Sequence, residues 1–162
     1  MPDRLTIDGR TLALNGMGLR EASVFAIDVY VAGLYLEHPS ADASRITNSE
    51  QYKQMRLKFV RDVDRDEMGA ALRDGFRKSA GRDRHKLQAR IDDFESRVPA
   101  MKKGDTLTLT YRPGKGVVIA TQLGERGTIA GADFAQALFR IWLGREPPDE
   151  DVKAGLLGGK CQ

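Results

Sequence analysis

From Leu14 to Glu37 the chain carries charge only at Arg20, Glu21, Asp28 and Glu37 and is otherwise dense in β-branched and aromatic residues. A run of that kind belongs in a sheet, with alternate side chains buried. Read from the residues alone, it is one long strand that stops near Glu37-His38-Pro39, where proline ends pairing. Arg20 stands out within it. A guanidinium stays charged, so in an apolar setting it needs an acceptor, and its planar fork suits a carboxylate or phenolate. Tyr30 is the nearest hydroxyl able to share such an anion. The structural alternatives are an exposed arginine or an ion pair with Asp28 or Glu21.

The flanking sequence supplies the remaining elements. Leu5-Thr6-Ile7 and Thr11-Leu12-Ala13-Leu14 alternate about Asp8-Gly9, which predicts a hairpin. Residues 40–53 are polar and read as one or two short helices, with Asn48-x-x-Gln51 as a capping box. Met55–Val60 alternates as a half-buried strand. Asp64-x-x-Glu67 opens a helix with Met68, Ala71, Leu72 and Phe76 on one face, ending before Gly81. Leu87, Ile91, Phe94 and Val98 mark a second helix. Strands are predicted over 105–112, 116–122 and 126–129, with turns at Pro113-Gly114 and Leu123-Gly124. A helix over 132–143 carries Phe134, Leu138, Ile141 and Trp142, and Pro147-Pro148-Asp149 starts a last short one. Strands, a helical block, more strands and a helical end exclude regular βαβ alternation. The fold class is α+β, helices on one face of a largely antiparallel sheet.

Apolar residues at 41% and charged residues at 30% place the chain among globular proteins. A net charge of +3 with both signs interspersed argues against a dedicated nucleic-acid binder. The 162 residues read as a single domain with a frayed tail from about 158. Cys161, the only cysteine, has no partner for a disulfide or a metal pair. His38 and His85 lack ligand spacing, so no metal site is expected. Gly114-Lys115-Gly116 is a hairpin turn with no helix after it, not a phosphate loop. No cofactor is called for, and no transmembrane run or signal peptide is read.

Several stretches together carry a resemblance. Gly18-x-Arg20, a short turn and Val29-Tyr30-x-x-x-Leu34-Tyr35-Leu36-Glu37 come first. Leu57–Val63 then leads into a helix, Lys103–Tyr111 into a Gly-rich turn and Gly116–Ile119. Gly131–Phe134, Ile141–Gly144, Pro148 and Leu156–Gly158 follow in order. In that order they resemble the chalcone isomerase-like family, its bacterial branch more than the plant enzymes. The resemblance implies an open-faced β-sandwich, a long curved sheet layered with helices, with a ligand cleft between them. It implies that Arg20 points into that cleft and binds an anionic oxygen, with Tyr30 in the slot that fatty-acid-binding relatives fill with tyrosine. It also places Met68, Gly75 and Ile141 where the true isomerases carry a tyrosine, an asparagine and a threonine or serine. None of the three can donate a proton or order a water, so the isomerase apparatus does not carry over. As for location, the resemblance favours the periplasm if an export signal was removed ahead of Met1, and the cytoplasm otherwise.

The function expected is non-catalytic binding of a small amphipathic anion, first of all a fatty acid. Arg20 and Tyr30 hold its acidic group, and Met68, Leu72, Phe76, Leu138, Ile141 and Trp142 form an adaptable apolar wall. Ordinary core packing is the competing account of each wall residue. One alternative is an isomerase with a rearranged site, acting on a flavonoid-like or unsaturated carbonyl substrate. Another is an interaction protein that uses the basic run Arg73, Arg77, Lys78, Arg82, Arg84, His85, Lys86 and Arg90. Such a run otherwise serves as a solvated face with weak attraction to anionic surfaces.

Overall fold

The computed structural model describes residues 1–22 and 27–159. Phe25 and Ala26 of the apolar run, and Cys161 of the tail, lie outside the described residues. Seven strands pair strictly with their sequence neighbours in one antiparallel sheet: β1 (Arg4–Ile7), β2 (Arg10–Ala22), β3 (Ile27–Leu36), β4 (Lys53–Phe59), β5 (Thr106–Arg112), β6 (Gly116–Thr121) and β7 (Gly124–Ile129). Five helices join them: α1 (Ala43–Asn48), α2 (Arg65–Ser79), α3 (Arg84–Arg97), α4 (Ala132–Leu143) and α5 (Glu150–Leu156). The α+β class read from the element order is the class observed.

The single long strand expected over 14–37 is two strands. β2 begins at Arg10 and absorbs residues 11–14, and β3 runs back along it with Arg20 opposite Tyr30. The residues in the link carry no glycine, proline or asparagine, so composition gave no turn signal. Two irregularities shape this pair. Asn15 is an extra residue on β2, and Val29 is an extra residue on β3 beside the Arg20–Tyr30 pair. A bulge of this kind re-aims neighbouring side chains.

One face of the sheet is apolar and covered. Ala32, Leu34, Leu36, Met55, Leu57, Phe59, Leu107, Leu109, Val117 and Ile119 all point to it, and period-2 alternation leaves their neighbours on the other side. The helices pack on this face. Phe76, Phe94 and Phe134 meet where α2, α3 and α4 converge, with ring centroids 5.6 to 5.8 Å apart. Helix α5 lies directly on β2. A Cβ on Gly16 would stand 2.0 Å from the Gly155 carbonyl oxygen, so no side chain fits between these backbones. Of the tail expected from about 158, only Gly158 and Gly159 are among the described residues. Gly158, at φ 98°, donates its N–H to the Gly155 carbonyl and Gly159 to Ala154, closing α5 as a Schellman motif.

The capping box expected at Asn48-x-x-Gln51 does not form. Asn48 ends α1, whose N-cap is Asp42, accepting from the Arg45 N–H. The C-terminus of α1 is closed instead by Lys53 from β4, which is 1% exposed. Its Nζ donates to the carbonyls of Ile46, Thr47 and Ser49 at 2.8, 3.2 and 3.0 Å. A lysine has three donors, and here each finds one of the orphan carbonyls of a helix end. Burial pushes the Lys53 ammonium down to about 8, against the opposing pull of Glu50. Unfolded lysine titrates near ~10.4, so between these values the unfolded chain binds more protons and stability rises with pH. The urea midpoint should therefore climb from about pH 8 towards about pH 10 in the native chain, and lose that component in Lys53→Met. The same variant should cost roughly 1–3 kcal/mol at neutral pH, because it takes the donor from three helix-end carbonyls, two of them in buried contacts.

Candidate functional site

The site grows out of the Arg20–Tyr30 pair. Directly opposed residues on antiparallel strands share a face, so both side chains project towards the helices. The bulge at Val29 turns that residue the same way, and Val29, Tyr30 and Arg20 together floor one end of a cavity of about 430 Å³. Leu57, Phe59, Leu107 and Leu109 continue the floor along the sheet. Met68, Ala71, Leu72 and Gly75 of α2, with Ile141 and Trp142 of α4, make the roof. Glu146, Pro147 and Pro148, in the link from α4 to α5, form a lip. Since α5 is clamped on β2 through its glycines, the same contact that ends the fold holds this lip beside the strand carrying Arg20.

Tyr30 is fixed from two sides. Its ring stands edge-on to Phe59, centroids 5.5 Å apart, and the Trp142 indole Nε1–H donates to its hydroxyl oxygen at 2.9 Å. Burial pushes the Tyr30 phenol above its ordinary range; the Trp142 hydrogen bond and the Arg20 charge oppose this, and Asp149 adds to it. The group is therefore a neutral donor at physiological pH.

Three cations line the cavity, and their situations differ. Arg61 is gripped by Glu67 through two hydrogen bonds at 3.1 and 2.8 Å. Lys78 pairs with Asp74 at 3.2 Å. Among the described residues, no carboxylate lies within 4.0 Å of the Arg20 guanidinium, although Glu21 and Asp28 flank it in the strands. Both of those carboxylates are exposed, whereas Arg20 is half-buried. The ion-pair account of Arg20 is therefore not the arrangement found.

Of the wall residues expected from sequence, Met68, Leu72, Ile141 and Trp142 line the cavity. Phe76 and Leu138 do not. Phe76 is held in the aromatic triad with Phe94 and Phe134, and Leu138 is fully buried in the helical layer behind the roof. Helical periodicity put all of them on apolar faces, but a helix with a wide apolar stripe meets two neighbours at once. Missed entirely were Val29, Leu57, Phe59, Leu107 and Leu109 from the sheet. Their inward alternation was legible, yet which part of the covered face stays unfilled depends on how the helices sit. Gly75 lies under Ile141, where a Cβ would stand 2.9 Å from the Ile141 Cγ2. The three slots discussed above, Met68, Gly75 and Ile141, thus all border the cavity and present no polar side chain to it.

A family model described as chalcone isomerase-like matches residues 1–158. The chain belongs to the chalcone isomerase-like family. A solved structure with the same fold is a fatty-acid binding protein of Arabidopsis thaliana, 19% identical, with a TM-score of 0.71 and 95% of each chain covered. At that identity the likeness is one of fold. No curated protein matches the sequence.

The basic run lies across α2, the short 3-10 turn at Gly81–Asp83 and α3. Much of it is neutralised locally. Arg73 pairs with Glu95, Arg77 and Lys78 with Asp74, and Lys86 and Arg90 with Asp133. Arg82, Arg84 and His85 remain without a carboxylate within 4.0 Å among the described residues. No group of three His, Cys, Asp or Glu side chains comes together among those residues, and no helix there is long and apolar enough to cross a membrane.

Because Arg20 gives up no ion pair when truncated, Arg20→Ala should shift the free energy of unfolding by less than about 1 kcal/mol. Urea titration of the two proteins measures this. A structural arginine would instead show a substantial loss.

Proposed function

We propose that this member of the chalcone isomerase-like family binds a fatty acid or a similar amphipathic anion in the cavity, without converting it. The observation that carries the reading is Arg20, a cation on the floor of an apolar cavity with no carboxylate of the described residues within 4.0 Å. A half-buried guanidinium of this kind is complementary to a ligand that brings its own negative charge. Tyr30 supplies a second donor on the same face. Met68, Leu72, Ile141 and Trp142 are the proposed contacts for the apolar chain, joined by Val29, Phe59, Leu107 and Leu109. Phe76 and Leu138 act through packing, behind the wall. The fold shared with a fatty-acid binding protein supports the same ligand class.

Binding without turnover follows from the chemistry of the slots. Cyclisation by phenolate attack needs donors that strengthen as enolate charge develops. Arg20 can hold a phenolate in the ground state, but equal stabilisation of ground and transition states leaves the chemical step unchanged. Incubation with a hydroxychalcone should therefore give flavanone no faster than buffer and with no stereochemical bias. Saturable, stereoselective cyclisation would favour the isomerase reading.

The affinity series addresses the anion site directly. Arg20→Ala should weaken binding of a long-chain fatty acid by roughly 2–4 kcal/mol, because it removes the charge partner of a buried anion. Arg20→Lys should restore only part, lacking the fork. Tyr30→Phe should cost about 0.5–1.5 kcal/mol, one hydrogen bond. Calorimetric titration of the three variants reads these values, and native mass spectrometry of the purified chain shows whether a lipid travels with it. Fatty-acid affinity indifferent to Arg20 would sink the assignment.

A further inference from the structure

The Tyr30 phenol has one hydrogen and, because one lone pair of its oxygen is conjugated with the ring, one strong acceptor direction in the ring plane. Among the described residues its only hydrogen-bond partner is the Trp142 indole, a group that donates and never accepts. The contact at 2.9 Å therefore has a fixed direction: the tyrosine oxygen receives, and its own proton is left over. A phenolic proton lies near the plane of the ring, on one side of the oxygen or the other. The indole occupies one side, so the proton turns to the other, where no acceptor of the described residues stands. Both rings border the cavity, and Arg20 lies directly across the strand pair from Tyr30. Receiving one hydrogen bond also makes a hydroxyl a better donor.

The polar groups at this end of the cavity are then donors throughout: the Arg20 fork, the Tyr30 O–H and the Trp142 N–H. Of the carboxylates bordering the cavity, Glu67 is engaged by Arg61, and Asp74 by Arg77 and Lys78. Glu146 stands exposed at the lip.

We propose that Trp142 is a positioning residue that sets the head-group selectivity of the site, by holding Tyr30 as a donor and removing its oxygen from service as an acceptor. This rests on reading the cavity as a fatty-acid site, and it adds which head groups are refused. An ionised carboxylate only accepts hydrogen bonds and is fully satisfied. A fatty alcohol of the same length also fits, but its hydroxyl proton finds no acceptor, and a polar group left unpaired in a desolvated site costs affinity. With the indole gone, the Tyr30 hydroxyl is free to turn and accept from an alcohol. Loss of Trp142 should thus relax selectivity, which loss of a merely space-filling ring would not do.

The test compares dodecanoate and dodecanol, whose chains are matched so that the ratio of their dissociation constants isolates the head group. At neutral pH the native chain should prefer dodecanoate, and Trp142→Phe should shrink the preference by roughly three- to tenfold, partly through tighter alcohol binding. If both affinities fall together and the ratio holds, Trp142 only packs, and this inference is wrong while the fatty-acid reading stands. If the native chain takes up no dodecanoate, the fatty-acid reading fails and this inference with it. Should Trp142→Phe not fold, solvent exchange of the indole N–H decides the matter. It should be at least about tenfold slower in the native chain than in Tyr30→Phe, because a hydrogen-bonded donor must open before exchanging. Equal exchange in the two would overturn the proposal.

Discussion

A sheet whose strands pair only with their sequence neighbours has one apolar face to bury, and the helices of this molecule are arranged to cover it. The chain inserts its helices in three places: after β3, between β4 and β5, and after β7. Each insertion returns to the same side, because the alternation along every strand leaves only that side greasy. Coverage is close where aromatic rings meet, as at Phe76, Phe94 and Phe134, and where bare backbones touch, as at Gly16 and Gly155. Between those two contacts the layers do not close, and the cavity is the space that remains. Its lip is positioned by the second of them.

Two cations on this covered face show how differently charge can be handled. Lys53 is almost completely buried and spends all three donors on the end of α1, an arrangement that is self-sufficient. Arg20 is half-buried, faces a cavity and finds no carboxylate among the described residues. Natural folds seldom leave a guanidinium in that position without purpose, since its desolvation is offset only by an acceptor. The contrast between the two, more than the shape of the cavity, supports the anionic ligand proposed above.

Membership of the chalcone isomerase-like family by itself leaves open whether the cavity does chemistry. What separates the readings is the roof. Methionine, glycine and isoleucine at positions 68, 75 and 141 present no polar side chain to the cavity. The polar end of the cavity is all donors, suited to hold a negative charge that is already present.

Much of this was legible in the sequence. Asp8-Gly9 specified its hairpin, with Asp8 at φ 52° and Gly9 at φ 76°, because few residues adopt that conformation. Asp64 specified the start of α2 through a single local hydrogen bond. The bounds of α4 followed from periodicity alone. Even Arg20 could be singled out, as a fixed charge in a run that tolerates few. What the sequence misled on was wherever a distant partner decides. The link between β2 and β3 carries no glycine, proline or asparagine, so residue types alone read through it, and only the family resemblance placed a short turn before Val29. Asn48 looked like a helix cap, but the carbonyls it neighbours are claimed by Lys53 from the next strand. Phe76 and Met68 share one helical stripe, yet only Met68 borders the cavity, because α3 and α4 fill the space in front of Phe76. The direction of the Trp142–Tyr30 hydrogen bond, between residues 112 positions apart, is likewise a product of packing. Local backbone preference and burial period are properties of a short segment and can be read from it; which part of a buried face is left unfilled is a property of all the elements together, and only the tertiary structure decides it.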